Sequence, residues 1–158
     1  MRKVVVNTTP LIALANIGQL ELLREPYGEV FIPDAVMEEI RSEPARSLVK
    51  DANWIKQCTI VHPEQKMLYK ARLHAGEVEV MILAQEESAD LVIMDDNTAK
   101  ATAKFFGFSV TGTLGILVKA KQRGMINEVS SLLCRLVGDG FYVDEKTKEM
   151  VLKQAGEF

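Results

Sequence analysis

Short runs of β-branched residues alternate with longer segments of helical character along this chain, and that alternation restricts the fold more than any other feature. The predicted strands are residues 4–6, 30–32, 59–61, 91–94 and 109–111. The predicted helices are residues 10–24, 33–41, 64–73, 77–87, 98–106, 114–123, 127–136 and a C-terminal helix at about 144–155. Strands that alternate with helices are typical of α/β proteins, so we expect a mostly parallel central sheet.

Length and composition predict one domain without a general attraction for nucleic acid. The chain has 158 residues, of which 47% are hydrophobic, and this suits a single core spanning 1–158 better than two. A formal net charge of −3 and a pI near 5.5 provide no long-range positive field. Any binding of nucleic acid would therefore need a local basic patch.

The cysteines and the amino-terminal stretch indicate a cytoplasmic protein without a membrane partner. Cys58 and Cys134 are far apart in the sequence and form neither a C-x-x-C motif nor a dense disulfide framework. Only three apolar residues, 4–6, precede a polar turn near the amino terminus. That stretch is too short for a signal peptide or a membrane span.

Polar side chains follow two of the predicted strands. Asp95 and Asp96 come after the apolar run 91–94, and Asn7 comes after 4–6. In a doubly wound sheet, Asn7 and Asp95 face one crevice if the first and fourth strands are neighbours. Carboxylate and amide oxygens there are suitable ligands for a hard divalent cation. The alternative is that Asp95 or Asp96 only caps the next helix, and one residue can cap while the other binds.

Three glutamates within predicted helices are further ligand candidates. A rotation of about 100° per residue places Glu39 at the rim of the apolar stripe and Glu38 towards water. Glu77 and Glu79 begin a segment that is apolar on nearly every side. The helix dipole alone would explain Glu77, whereas a partly buried Glu79 needs a cation or a basic partner. We therefore expect Glu39 and Glu79 as ligands, with Glu77 as the second choice for the latter.

Other chemistries have little support in the sequence. His62 and His74 lack the spacing of a helical zinc pair. No phosphate-binding loop, dinucleotide-binding glycine motif or serine-hydrolase elbow is present. A receiver-like or phosphatase-like domain with Asp95 as phosphoacceptor would need a lysine after the last strand, where Thr111, Gly112 and Thr113 stand. A cluster of acids without a nucleophile favours a hard metal ion.

Five segments together resemble the PIN-domain superfamily, and in particular a prokaryotic subfamily of predicted nucleic-acid-binding proteins. Their order and spacing match over almost the whole chain. The segments are VVVNTTPLIAL at 4–14, IPDAVMEEI at 32–40, GEVEV at 76–80, LVIMDD at 91–96 and VTGTLG at 110–115. The resemblance implies a three-layer α/β/α sandwich and a ribonuclease that depends on Mg²⁺ or Mn²⁺. Such proteins are often the toxin of a toxin–antitoxin pair and are commonly homodimers.

The resemblance also assigns roles by position. The four main acids of the family fall on Asn7, Glu39, Glu79 and Asp95, so three of four are acidic here. Asp96 is a secondary metal-ligand candidate. The small hydroxyl residue after the first acid corresponds to Thr8, and Thr111 lies close to the last motif; both are candidate contacts to nucleic acid.

Asn7 separates two functional hypotheses. Its amide oxygen can still bind a cation but brings no negative charge, which weakens the metal site and lowers activity unless Asp96 or Glu77 compensates. The first hypothesis is therefore a metal-dependent ribonuclease with a weakened site. The alternative is a catalytically inactive PIN-like module that binds RNA or a protein, for which binding should not respond to a chelator.

RNA and protein partners would need surfaces of their own. Lys100 and Lys104, four residues apart after Asp95, could face an RNA backbone, and residues 119, 121 and 123 could extend that surface. A solvated helix flank is the alternative. The apolar segments 11–15, 132–133 and 136–137 could serve a homodimer but are more often core. An antitoxin could insert a basic side chain against the carboxylates.

Overall fold

A five-stranded, entirely parallel sheet forms the centre of the protein, with helices on both of its faces. The computed structural model describes residues 2–69 and 73–158. The strands are β1 (Lys3–Val6), β2 (Glu29–Pro33), β3 (Ile55–Cys58), β4 (Leu91–Ile93) and β5 (Val110–Thr111), in the spatial order β3-β2-β1-β4-β5. The predicted α/β/α sandwich is confirmed.

The helices connect the strands and cover the sheet. They are α1 (Thr8–Asn16), α2 (Asp34–Glu39), α3 (Ala45–Asp51), α4 (Ala75–Glu86), α5 (Asn97–Phe105), α6 (Thr113–Gln122), α7 (Ser130–Gly138) and α8 (Glu145–Gln154). Two 3₁₀ helices, Leu20–Leu23 and Pro63–Leu68, lie between them. Within residues 2–69 and 73–158, no helix is both long enough and apolar enough to cross a bilayer.

The two central strands explain the apolar runs in the sequence. Val4, Val5 and Val6 are completely buried, and Val92 and Ile93 of β4 are buried beside them. A parallel sheet covered on both faces needs such continuous apolar strands rather than alternating ones. Helix α4 is buried along most of its length, as its apolar sequence predicts. It packs against α2 and against β1 and β2.

The third strand differs from the prediction. It is Ile55–Cys58, paired with β2, whereas the predicted strand at 59–61 follows it. Because β3 lies at the edge of the sheet, Lys56 and Gln57 are exposed, and the strand lacks an apolar run. The strand was predicted too late in the sequence because residues 60 and 61 are apolar.

Three helix predictions also need correction. The predicted helix 10–24 is the shorter α1, which ends at Asn16, followed by a left-handed Gly18 and the 3₁₀ helix Leu20–Leu23. The predicted helix 64–73 is the 3₁₀ helix Pro63–Leu68, and residues 70–72 lie outside the described part of the chain. Helix α3 was not predicted, since only Ala45 and Val49 of its seven residues are buried. The C-terminal helix, α8, is confirmed.

Most of the apolar segments considered for a dimer belong to the core. In α1, Leu11, Ala13, Leu14 and Ala15 are buried. In α7, Leu132, Leu133 and Leu136 are buried, whereas Val137 is 48% exposed. Both cysteines are free thiols.

Candidate active site

The first and fourth strands are neighbours, as a shared crevice requires. Val6 of β1 is aligned with Ile93 of β4, and the backbone N–H of Asn7 donates to the Ile93 carbonyl over 2.8 Å. The chain builds β2 and β3 on one side of β1, and β4 and β5 on the other. Asn7 and Asp95 therefore lie at the carboxyl edge, at the point where the strand order reverses and where open α/β sheets bind ligands.

The Asn7 side chain holds a buried acceptor without a donor. Asn7 is 5% exposed, and its extended backbone leads directly into α1. Its Oδ1 is buried and accepts no hydrogen bond from any of the described residues. A buried polar atom without a partner costs about 1–3 kcal/mol, so such atoms generally mark a site for water, an ion or a ligand.

Glu39 is held between two helices by both of its carboxylate oxygens. Thr8 Oγ1 donates to Glu39 Oε1 over 2.7 Å, and the backbone N–H of Gly76 donates to Oε2 over 3.1 Å. A Cβ atom at Gly76 would collide with Glu39 Oε1, so only glycine permits this approach. Thr8 thus orients the Glu39 carboxylate where α1, α2 and α4 meet.

Glu77 and Glu79 have different environments, although only Val78 separates them. Glu79 Oε1 accepts a hydrogen bond from the backbone N–H of Ala35 (3.1 Å), and its Oε2 lies 3.2 Å from Lys66 Nζ. It therefore satisfies a free N–H in the first turn of α2 and has the basic partner that its burial calls for. Both carboxylate oxygens of Glu79 are thus engaged by groups of the protein.

Glu77 instead belongs to the group of acids. It is 6% exposed, and its Oε1 accepts a hydrogen bond from the backbone N–H of His74 over 3.0 Å. Burial raises the pKa of Glu77, and the nearby charges of Asp96 and Glu39 raise it further against the effect of that hydrogen bond. The second-choice residue of the sequence analysis is thus the one that lies among the other carboxylates.

Asp95 is anchored to the start of α6 by Thr113. The Thr113 N–H donates to Asp95 Oδ1 and its hydroxyl donates to Oδ2, each over 2.7 Å. Burial raises the pKa of Asp95, although these bonds and the Lys100 charge act to lower it. Sequence reasoning missed Thr113, which is completely buried. Its signal was a hydroxyl residue at the start of a helix that follows an edge strand.

Asp96 performs the capping function that was considered for the pair. Its Oδ2 accepts a hydrogen bond from the backbone N–H of Ala99 (2.9 Å) and so caps α5. Asp95 occupies a similar position at the first N–H of α6. Both aspartates thus complete helix termini, and Asp96 also adds negative charge beside Glu77.

Of the two lysines predicted to contact nucleic acid, Lys100 lies closer to the acids. A Cβ atom built on Gly112 would lie 2.7 Å from Asp95 Oδ1 and 2.9 Å from Lys100 Nζ, so both groups approach the Gly112 backbone. Lys104 is exposed one turn further along α5. The Thr111 hydroxyl lies against Gly115 of α6, where it contributes to packing.

The basic residues expected to extend this surface along α6 do not lie beside the crevice. Lys121 Nζ lies 3.0 Å from Glu157 Oε2, and Lys119 lies over the ring of Tyr27 near the amino-terminal edge of the sheet. A helix that follows a parallel strand runs back along the sheet, and its last turns therefore reach the opposite edge from the crevice.

A cavity of about 550 Å³ opens beside the aspartates. One wall contains Asp95, Asp96 and Lys100, and the other contains Phe141 and Tyr142 from the segment before α8. Tyr142 is 84% exposed. No hydrophobic periodicity predicts this second wall, because the segment is a loop between two helices.

The oxygen atoms at this site are of the type that binds a hard divalent cation. Asn7 Oδ1 has no donor among the described residues, and the carboxylates of Glu39, Glu77 and Asp95 keep lone pairs beyond their hydrogen bonds. No three Asp, Glu, His or Cys side chains converge closely enough to hold an ion within residues 2–69 and 73–158. The carboxylates would have to move towards one another to bind the same ion.

Comparison with protein families gave one match over nearly the whole chain. A family model described as DUF3368, a PIN domain, matches residues 3–157. No curated protein and no solved structure matches the chain.

Proposed function

The chain belongs to the PIN-domain family, and from this premise we propose that it is a ribonuclease that depends on Mg²⁺ or Mn²⁺ and hydrolyses phosphodiester bonds. Membership of the family supports a nuclease-related role that involves nucleic acid. PIN domains generally depend on divalent metal ions. The specific reaction, the ion and the residues below are our proposal.

The observation that carries the proposal is the buried Oδ1 of Asn7 beside the acidic crevice, which has no hydrogen-bond partner within residues 2–69 and 73–158. We propose that this atom and the carboxylates of Glu39, Glu77 and Asp95 hold the cation. Glu77 takes the ligand position that the resemblance assigns to Glu79, because Glu79 is engaged by Ala35 and Lys66. Asp96 contributes charge from its capping position.

When bound, a divalent cation supplies a Lewis acid that neutralises charge on the phosphate and makes a water molecule more acidic. Lys100 is positioned to donate to a phosphate oxygen at the mouth of the cavity. Thr8 and Thr113 orient Glu39 and Asp95 respectively.

RNA would lie across the cavity and along α5. Lys104, one helical turn beyond Lys100, extends the cationic face for the backbone. The exposed ring of Tyr142 on the opposite wall offers a surface on which a base can stack. Aromatic stacking is tolerant of sequence, so these contacts favour a single-stranded RNA substrate.

A second function is favoured by one feature, the neutral side chain at position 7. With an amide in place of a carboxylate, the crevice carries one negative charge fewer, and hydrogen bonds from Thr8, Gly76 and Thr113 engage the oxygens of Glu39 and Asp95. A PIN domain of this kind could bind RNA or a protein without cleaving it.

The test is cleavage of a fluorescent single-stranded RNA by wild type, Asn7→Asp and Asp95→Asn, with Mg²⁺, Mn²⁺ or EDTA. The matched control is Asp51→Asn, an exposed aspartate at the end of α3. We expect metal-dependent cleavage by wild type and the control, more by Asn7→Asp and none by Asp95→Asn. Cleavage by Asn7→Asp alone would identify the wild type as a non-cleaving module. Equal cleavage by Asp95→Asn would exclude this site.

We further propose a toxin role in the cytoplasm, with an antitoxin whose basic side chain enters the acidic crevice, and a homodimer. Expression of the wild type should arrest growth in proportion to its nuclease activity, and Asp95→Asn should not. Light scattering of the pure protein at several concentrations tests the dimer. Growth arrest by both proteins, or a constant monomer mass, would contradict the respective proposals.

A further inference from the structure

A cluster of cations lies at the amino-terminal edge of the sheet, opposite the crevice. Arg2 precedes β1, and its carbonyl accepts a hydrogen bond from the backbone N–H of Glu29 over 2.8 Å. Gly28, with a φ of 78°, permits this contact, because a Cβ atom there would collide with the Arg2 carbonyl oxygen. Arg2 and Tyr27 are thereby held side by side at the starts of β1 and β2.

Three basic side chains surround the Tyr27 ring. Arg2 Cζ lies 5.9 Å and Lys119 Nζ lies 5.3 Å from the ring centroid. Arg123 directly follows α6 and lies near enough for its charge to act against the rise that burial causes in the pKa of Tyr27. Burial lowers the pKa of Lys119, and the charges of Arg2 and Arg123 lower it further. The three cations are thus close enough to repel one another.

None of these three cations forms an ion pair within the described residues, which distinguishes them from a neighbouring pair. Lys3 and Lys56 lie 6.0 and 5.6 Å from the centroid of the Phe31 ring. Each has a carboxylate partner, Glu87 for Lys3 at 3.4 Å and Glu29 for Lys56 at 2.6 Å. Among the residues that the structure describes, the cations at Phe31 are therefore neutralised by carboxylates, whereas those at Tyr27 are not.

We propose that Arg2, Lys119 and Arg123 form a second binding site that takes phosphate groups of the RNA backbone. Uncompensated positive charge raises the local concentration of anions, and the planar guanidinium groups of two arginines suit the oxygens of a phosphate. The identity of the ligand as RNA rests on the proposed function.

The position of the cluster supports contact with the same RNA chain that enters the crevice. Thr113, which holds Asp95, begins α6, and Lys119 and Arg123 follow on that helix. At a rise of 1.5 Å per residue they lie about 9 and 15 Å along its axis from Thr113. A single strand that leaves the crevice along α6 reaches the cluster within a few nucleotides.

The experiment measures the salt dependence of RNA binding in EDTA, by anisotropy of a fluorescent single-stranded RNA. The triple variant Arg2→Gln, Lys119→Gln and Arg123→Gln is compared with wild type. The charge-matched control replaces three exposed residues without ion pairs among the described residues: Arg41→Gln, Lys50→Gln and Arg135→Gln. Melting curves establish that each variant folds. Arg123→Gln alone, at an exposed position, is the fallback.

Each phosphate that a cation neutralises contributes about 0.7 to the slope of log affinity against log salt. The triple variant should therefore reduce this slope by about 2, and the single variant by about 0.7. Affinity at low salt should fall about tenfold or more, and the control should keep the wild-type slope. An equal loss of slope in the control variant would overturn the proposal. So would an unchanged slope in the triple variant.

Two further titrations distinguish the source of the phosphate. Inorganic phosphate should bind far more weakly than RNA; equal affinity per phosphate would overturn the assignment to an RNA backbone. Binding to vesicles of phosphatidylcholine with phosphatidylserine, without binding to RNA, would also overturn it. Because no cleavage is measured, the result is independent of the nuclease activity. If wild type fails to cleave and the slope difference remains, the proposed hydrolysis fails and this site stands.

Discussion

Asn7→Asp should destabilise the protein without metal and make it respond more strongly to Mn²⁺. The substitution changes the shape of the side chain little, but it places a carboxylate at a position that is 5% exposed. Burial already raises the pKa values of Glu77 and Asp95 nearby. A third buried acid without a counter-charge is therefore unfavourable in its ionised form.

The expected fall in Tm follows from the burial of position 7 and from the length of the chain. An uncompensated buried group costs about 1–3 kcal/mol. For a domain of about this length, each kcal/mol lowers Tm by roughly 2–4 °C. We expect Asn7→Asp in EDTA near neutral pH to melt about 2–12 °C below wild type. At acidic pH, where the new carboxyl is protonated, the difference should shrink.

Mn²⁺ should act in the opposite direction. If the added charge raises Mn²⁺ affinity tenfold, the gain corresponds to about 1.4 kcal/mol at saturating metal. Saturating Mn²⁺ should then raise the Tm of Asn7→Asp by about 3–6 °C more than that of wild type. The assay is circular dichroism melting over a Mn²⁺ series. Asn53→Asp, at an exposed position, is the control.

Two results would refute this reasoning separately. Equal melting temperatures in EDTA would show that position 7 tolerates an ionised carboxylate. An equal rise with Mn²⁺ in both proteins would show that the side chain at position 7 is not part of a metal site.

Three further predictions concern other side chains of the crevice. Glu77→Gln keeps the acceptor for the His74 N–H and removes a charge. Because the folded-state pKa of Glu77 is raised, wild type loses part of its free energy of unfolding as pH rises from the unfolded-state pKa through the folded-state pKa. The variant should therefore have a higher Tm than wild type above the folded-state pKa, and this difference should vanish in acid. Thr113→Val removes a buried hydroxyl that donates to Asp95 and should reduce the free energy of unfolding in urea by about 1–3 kcal/mol; an unchanged value would contradict the role given to this bond. Tyr142→Ala should leave Tm unchanged, since the ring is 84% exposed, and weaken RNA binding by about tenfold in EDTA; unaltered binding would remove the ring from the RNA surface.

The sequence predicted those parts of the fold that depend on continuous apolar runs. The two central strands and the helix α4 were found because their residues are buried from both sides. Edge strand β3 was misplaced because only its first residue enters the core. Similarly, α3 has too few buried residues for a periodic signal.

Within the site, local pattern could identify the candidate acids but could not select between two of them. Glu77 and Glu79 both lie on a helix that is apolar almost all round, so periodicity does not indicate a face. Their roles depend on Lys66 and on the start of α2, which are distant in the sequence. Lys119 was expected on the same surface as Lys100, but the structure places it near the opposite edge of the sheet, because a helix that follows a parallel strand runs back towards that edge.

The strand order also determines when the crevice can exist. Asn7 and Glu39 belong to the part of the chain made before β4, whereas Asp95 and its anchor Thr113 come after it. Until β4 arrives, one side of β1 is an open edge of three buried valines, the kind of edge that invites pairing with other chains. A translation product that stops before residue 91 would thus lack the acidic crevice and carry an aggregation-prone strand. Synthesis of the chain itself therefore keeps the site incomplete until most of the protein has been made.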